Sequence, residues 1–258
     1  MNRFTSVCGL SVLLAALMGT SQNLDAQQVL LADGSLHPGG LWRLGGYAAE
    51  TLVHHRLSRP DAAFPHAIMK VAQVAVTPEG NIYFSSGLDC YVMHLLDGRH
   101  EIVAFPEING QIRDIACTSE EHTVYYSVVP TPQDGAPLAD GVIYRRDIWE
   151  GSPTAVATIR QSDVGGNWWG TFTIRDGVIY LATTEESSRI MLITNGSIQP
   201  FAIANGNRIA GISVNQEGKF HFACGDGRVF ATDDFTTVSV VHESPRGLTD
   251  VTFQLSRE

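Results

Sequence analysis

RIAGISVNQEGKFHFACGDGRVFATDDFTTVSVV, residues 208–241, carries four strand signals in thirty-four positions. Its β-branched and aromatic runs are broken by Glu217-Gly218, Gly225-Asp226-Gly227 and Asp233-Asp234. Such runs, bounded by Gly and Asp, read as short strands joined by tight turns. No stretch of the chain sustains a helical period.

The first strand of this unit has counterparts along the whole chain. KVAQVAV (70–76), QIRDIAC (111–117), WWGTFTI (168–174), RIAGISV (208–214) and GLTDVTF (247–253) align on Val74, Ile115, Phe172, Ile212 and Val251. The aligned residues stand 41, 57, 40 and 39 positions apart. Each of the first four is followed by a turn and a second strand: NIYFSS, TVYYSV, VIYLAT and KFHFAC. A third strand, a tight turn and a fourth strand follow, as in IMLI-TNG-SIQPFA. Gly and Asn supply the positive φ that such hairpin turns require, so Asn195-Gly196-Ser197 reads as a turn before it reads as a glycosylation sequon.

Four antiparallel strands in about 40 residues, repeated, mark a β-propeller. A lone blade has two apolar faces, and stacking around an axis buries both. The fifth repeat stops after its first strand. QVLLA, GLWRLG and ETLVHH near the N-terminus supply the other three. The sequence therefore predicts an all-β fold of five blades, with the C-terminal strand joining the N-terminal blade to close the ring. A six-bladed ring is the alternative. The long repeat carries a Pro/Gly-rich insertion at 129–140, too short for another blade.

Residues 1–26 read as a secretory signal: Arg3, then an uncharged apolar run at 7–18, then polar residues up to Ala26. A buried N-terminal helix is the competing reading. Cys8 lies early in the apolar run, which does not place it as a lipid-anchor cysteine. Residues 27–258 then form a single propeller domain, secreted or periplasmic and monomeric, with no membrane span. Cys90, Cys117 and Cys224 remain; they match no zinc spacing and read as small buried hydrophobes. The formal net charge of -10 argues against nucleic acid and anionic membranes as partners.

VTPEGNIYFSSG (76–87), followed by VMHLLDG (92–98), resembles the repeats of the gluconolactonase-like and NHL-type propellers, with a Pro-x-Gly turn before an aliphatic–aromatic strand. The resemblance implies a propeller that serves as a lactonase, lyase, esterase or binding module. For the gluconolactonase type it implies one divalent cation, calcium or zinc, in the central channel. The Glu-Gly-Pro-x-Trp segment of those enzymes is not in this sequence.

First strands line a propeller channel, and the loops entering them share a face with the loops between second and third strands. Just before the aligned column stand Gln73, Asp114, Thr171, Gly211 and Asp250. Asp114 and Asp250 are the candidate metal ligands and the candidate acid/base pair, because carboxylates gathered at a narrow axis suit a hard cation. Capping a turn, or pairing with Arg113 or Arg246, is the structural alternative. His66, in an entry loop, is a third catalytic candidate. Gln73, Arg113, Asn167, Trp168, Trp169, Asn207, Arg208 and Arg246 are candidate ligand-binding residues at the channel mouth. An indole there would stack on a sugar or an apolar group. Two functions follow as expectations: a module binding a small molecule, glycan, peptide or protein, or a metal-assisted hydrolase or lactonase.

Overall fold

The computed structural model describes residues 29–33, 40–45, 48–54, 73–78, 81–86, 89–94, 100–103, 111–120, 122–129, 140–147, 152–164, 169–204, 206–244, 247–248 and 250–253. The predicted signal and most of the Pro/Gly-rich insertion lie outside these residues. No helix among them is long and apolar enough to cross a membrane.

The chain opens with β1 (Val29–Asp33), β2 (Gly40–Gly45) and β3 (Ala48–His54). β4 (Val74–Val76), β5 (Asn81–Ser86), β6 (Asp89–His94) and β7 (His100–Val103) follow. Next come β8 (Gln111–Cys117), β9 (Thr123–Val129), β10 (Gly141–Asp147) and β11 (Thr154–Ile159). Then come β12 (Trp169–Arg175), β13 (Val178–Thr183), β14 (Arg189–Thr194) and β15 (Ser197–Ile203). The last are β16 (Ile209–Val214), β17 (Phe220–Cys224), β18 (Arg228–Thr232), β19 (Ser239–Glu243) and β20 (Asp250–Phe253).

Among the described residues these strands form five four-stranded antiparallel sheets, as propeller blades do. Four are meanders in chain order. The fifth runs β20-β1-β2-β3, with Val251 opposite Leu31. The repeat length and its strand phase thus reappear as sheets. The hairpin turns follow the chemistry expected of them: Asp176 and Gly177 have φ of 51° and 72°, Asn195 and Gly196 of 50° and 76°. Two successive positive φ values match the right-handed twist of the strands they join.

The cores lie between sheets, not within one. Ile143, Ala157 and Ile159 of one sheet meet Phe172, Leu181 and Met191 of the next. Ala182 and Ile190 meet Ile212, Phe220, Phe222 and Phe230. Ala75 and Tyr83 meet Ile115 and Tyr126, while Ala223 and Val229 meet Val251 and Phe253. Each fully buried side chain of this size contributes about 1.5–3 kcal/mol, so the stacking supplies the stability a lone sheet lacks. The first strands lie side by side: β4 against β8, β8 against β12, β12 against β16, β16 against β20, and β20 against β4.

Three of these first strands carry a β-bulge at one place. Ile112 and Asp114 are opposite Val128 and Ser127, leaving Arg113 as the extra residue. Gly170 and Ala210 are extra in β12 and β16. The sequence signal is apolar spacing of three in place of two. A regular strand would turn Ile112 and Ile115 to opposite faces; the bulge puts both in one core, and likewise Ile209 and Ile212.

Candidate functional site

The first strands present one edge that no strand covers. On it lie the backbone N–H groups of the aligned column: Val74, Ile115, Phe172, Ile212 and Val251. A buried N–H must find an acceptor, and water has little access here. The cavity at the axis, bordered by Thr173, Ser213, Thr252 and Asp250, is about 10 Å³. That is room for one water at most.

The acceptors come from the preceding column. Asp114 Oδ2 accepts from Phe172 N at 2.6 Å and from Thr171 Oγ1 at 2.7 Å, and its Oδ1 accepts from Ile115 N at 2.9 Å. Thr171 Oγ1 in turn accepts from Ile212 N at 3.1 Å. Asp250 Oδ2 accepts from Val74 N and its Oδ1 from Val251 N, each at 2.8 Å. Three side chains therefore serve all five N–H groups. Asp114 and Asp250 are each 2% exposed and Thr171 is 1% exposed.

Burial sets the ionisation of both acids. It pushes the Asp114 carboxyl up to about 7, against the pull of Phe172 N, the Thr171 hydroxyl and Ile115 N. Burial, and then the charge of Asp114, push Asp250 well above the usual carboxylate range. Neighbouring carboxylates in a dry site resist ionising together.

The divalent cation implied by the family resemblance would need more ligands than Asp114 and Asp250 supply. Calcium takes six to eight oxygens and zinc about four ligands. Among the described residues no group of three or more His, Cys, Asp or Glu could hold a metal. The four carboxylate oxygens each accept from a backbone N–H, which fixes the orientation of both acids.

The other predicted residues divide between the mouth and the undescribed segments. Gln73 is half-buried, immediately before Val74. Arg113 is half-buried at its bulge, and burial lowers its guanidinium pKa. Asn207 is half-buried, its carbonyl accepting from Ser188 N at 3.1 Å, and Arg208 beside it is exposed. Trp169 opens β12, but its side chain lies outside the described residues, as do His66, Asn167, Trp168 and Arg246.

Two residues of this region escaped sequence reasoning as participants. Thr171 stood in the column but carried no charge to draw notice. Arg189 bonds Glu185 through Nε and the Val164 carbonyl through its other nitrogen, each at 2.5 Å. It ties the β13–β14 loop to the approach to β12. The i, i+4 spacing of Glu185 and Arg189 was the available signal.

No protein-family model matches the chain, and no curated protein matches it in sequence. Among solved structures it is similar to the extracellular domain of a presumed hybrid two-component system of Bacteroides thetaiotaomicron, at 12% identity and TM-score 0.46, over 87% of this chain and 35% of that one. It is also similar to a protein of unknown function from Bacteroides caccae, at 14% identity and TM-score 0.48, over 84% of this chain and 72% of that one. A presumed gluconolactonase is similar at 13% identity and TM-score 0.49, over 87% of this chain and 84% of that one. The chain thus spans about a third of the length of the first of these.

Proposed function

We propose that this chain is an exported, five-bladed propeller, closed by its C-terminal strand, that acts as a monomeric binding module. Its ligand is a glycan, a peptide or another protein. The site is the face where the entry loops of the first strands meet the loops between second and third strands. One observation carries this reading: Asp114, Thr171 and Asp250 are taken up by the backbone N–H groups of the first strands, so recognition falls to the entry loops. Exposed Arg208 and half-buried Asn207, just before β16, are the entry-loop residues assigned to that face. The scaffold under it is fixed, since Ser188 Oγ accepts from Ile209 N and Arg189 anchors the neighbouring loop. Loops held by rigid sheets are where binding residues concentrate. Metal-assisted hydrolysis would need ligands beyond Asp114 and Asp250, so binding is the preferred function.

The test is a screen of the purified protein against arrayed glycans and a peptide library, repeated with Arg208→Ala and Asn207→Ala. The expected outcome is a specific ligand whose affinity falls at least tenfold in Arg208→Ala, about 1.4 kcal/mol, while the melting temperature holds. A ligand that binds both variants as it binds the wild type would place the site elsewhere. Turnover of an ester or lactone by the metal-free protein would overturn the binding reading.

A further inference from the structure

We propose that Asp114 and Asp250 are the two pins of a side-chain clasp that holds the first strands together, and that they serve as hydrogen-bond acceptors and not as metal ligands. The inference is independent of what binds at the mouth.

The argument is an accounting of donors. Five N–H groups face the axis, one from each first strand. If each column residue served the next strand, five acceptors would be needed, and Gly211 has no side chain to offer. The two acids make up the difference, because a carboxylate has two oxygens. Asp114 spans β8 and β12, Thr171 passes the arrangement to β16, and Asp250 spans β20 and β4. Val251, which a side chain at 211 would otherwise serve, is served by Asp250 itself. The space is taken as well: a Cβ at Gly211 would stand 2.2 Å from Asp250 Oδ1 and 2.3 Å from Asp250 Cα. Glycine at 211 and aspartate at 250 are therefore one device. Asp250 also links residues 176 positions apart, binding the last strand to β4 in addition to its pairing with β1.

The experiment has two readouts. Melting of the purified wild-type protein is compared in EDTA, in added calcium and in added zinc; the clasp predicts no shift, because a ligand of the folded state alone would raise the melting temperature. Amide hydrogen exchange is then followed in Asp250→Asn and in Thr171→Val. At a pH high enough to ionise Asp250, Asn turns one acceptor oxygen into a donor against an N–H group, so exchange at Val74 or Val251 should quicken roughly tenfold or more. Thr171→Val should do the same at Ile212 while leaving Val74 protected. Thr171→Val keeps the side-chain shape, so it reads the clasp even if Asp250→Asn does not fold. A calcium- or zinc-dependent rise in melting temperature, lost in Asp114→Asn, would overturn the proposal. So would unchanged protection at Ile212 in Thr171→Val.

Discussion

The first-strand edges of these sheets, here the inner rim, and the fourth-strand edges, the outer rim, face the same difficulty and meet it differently. Each sheet has two edges, and each edge leaves backbone groups without a ladder partner. At the inner rim water is nearly excluded, and two carboxylates and a hydroxyl supply acceptors at 2.6–3.1 Å. At the outer rim water serves the edge, and the hazard is pairing with another chain. There four of the five fourth strands are broken by bulges: Leu52, Val156, Phe201 and Val241 are extra residues in β3, β11, β15 and β19. Pro200 removes a further donor from β15. Apolar side chains are tolerated in the open at this rim, with Ile203 51% and Val240 45% exposed. What differs is access to water: bulges occur in first strands too, but the dry edge also draws on side-chain acceptors.

The largest effect should come from Gly211→Ala. The added methyl meets the backbone of β20 as well as a flexible side-chain end, so the strand itself must move. A loss of about 3 kcal/mol or more is expected, at the upper end of overpacking costs. Denaturant unfolding of the purified variant measures it. A loss under about 1 kcal/mol would mean that β16 and β20 are not pressed together, and the inner rim would lose its special character.

Thr171→Val should cost less, about 1–3 kcal/mol, because it strands the Ile212 N–H and removes a donor from Asp114 while conserving volume. Thr171→Ser, which keeps the hydroxyl, should recover most of that. Equal losses in the two variants would assign the effect to packing and not to the hydrogen bonds.

The architecture was legible because it depends on short-range pattern. The column Val74, Ile115, Phe172, Ile212 and Val251 could be aligned by eye, and Asp176-Gly177 and Asn195-Gly196 announced their turns. The clasp was not legible, because it depends on which edges meet. Asp114 and Asp250 stand out as charges, open to a ligand or a structural reading, while Thr171 and Gly211, in equivalent positions, look inert. Only with β12 beside β8 and β20 beside β4 do these four residues become one arrangement. The bulges left a trace in the sequence, the three-residue spacing of Ile112-Ile115 and Ile209-Ile212. A strict alternation of two could not interpret it.

The pH dependence of stability sharpens the comparison inside the inner rim. The folded pKa of Asp114, about 7, lies above the unfolded value near 3.9, so the folded state holds more protons between them. Its contribution is full below about pH 4 and is lost as pH rises toward 7, with a slope of at most about 1.4 kcal/mol per unit. His221 works in the other direction. It is buried against Phe253 at 4.4 Å, and burial lowers its pKa to about 4. Its contribution is present above about 6.5 and lost as pH falls toward 4. The two slopes oppose each other across one window. Asp250, also raised, adds to the Asp114 slope, so Asp114→Asn should make stability fall less steeply with pH between about 4.5 and 6.5, and His221→Phe should make it fall more steeply. Chemical unfolding at several pH values tests both. Identical profiles for the two variants would show that neither group titrates in that range.

The smallest effects belong to the outer rim, and even there two residues should separate. Phe201 is 43% exposed, yet its ring meets Tyr180 edge-on at 5.4 Å and Phe235 at 6.2 Å. Such pairs are worth about 0.5–1.5 kcal/mol beyond burial, so Phe201→Ala should cost about 1 kcal/mol. Val240 lies at the edge of its sheet with its side chain largely in water, and Val240→Thr should stay within about 0.5 kcal/mol of the wild type. The value of this last variant lies in its pairing with Thr171→Val. Each exchanges a methyl and a hydroxyl on a β-branched side chain at an edge strand, in opposite senses, one rim dry and the other wet. If they changed stability by the same amount, water access would not be what distinguishes the rims. A severalfold larger loss at Thr171 would locate the difference in the buried hydrogen bonds themselves.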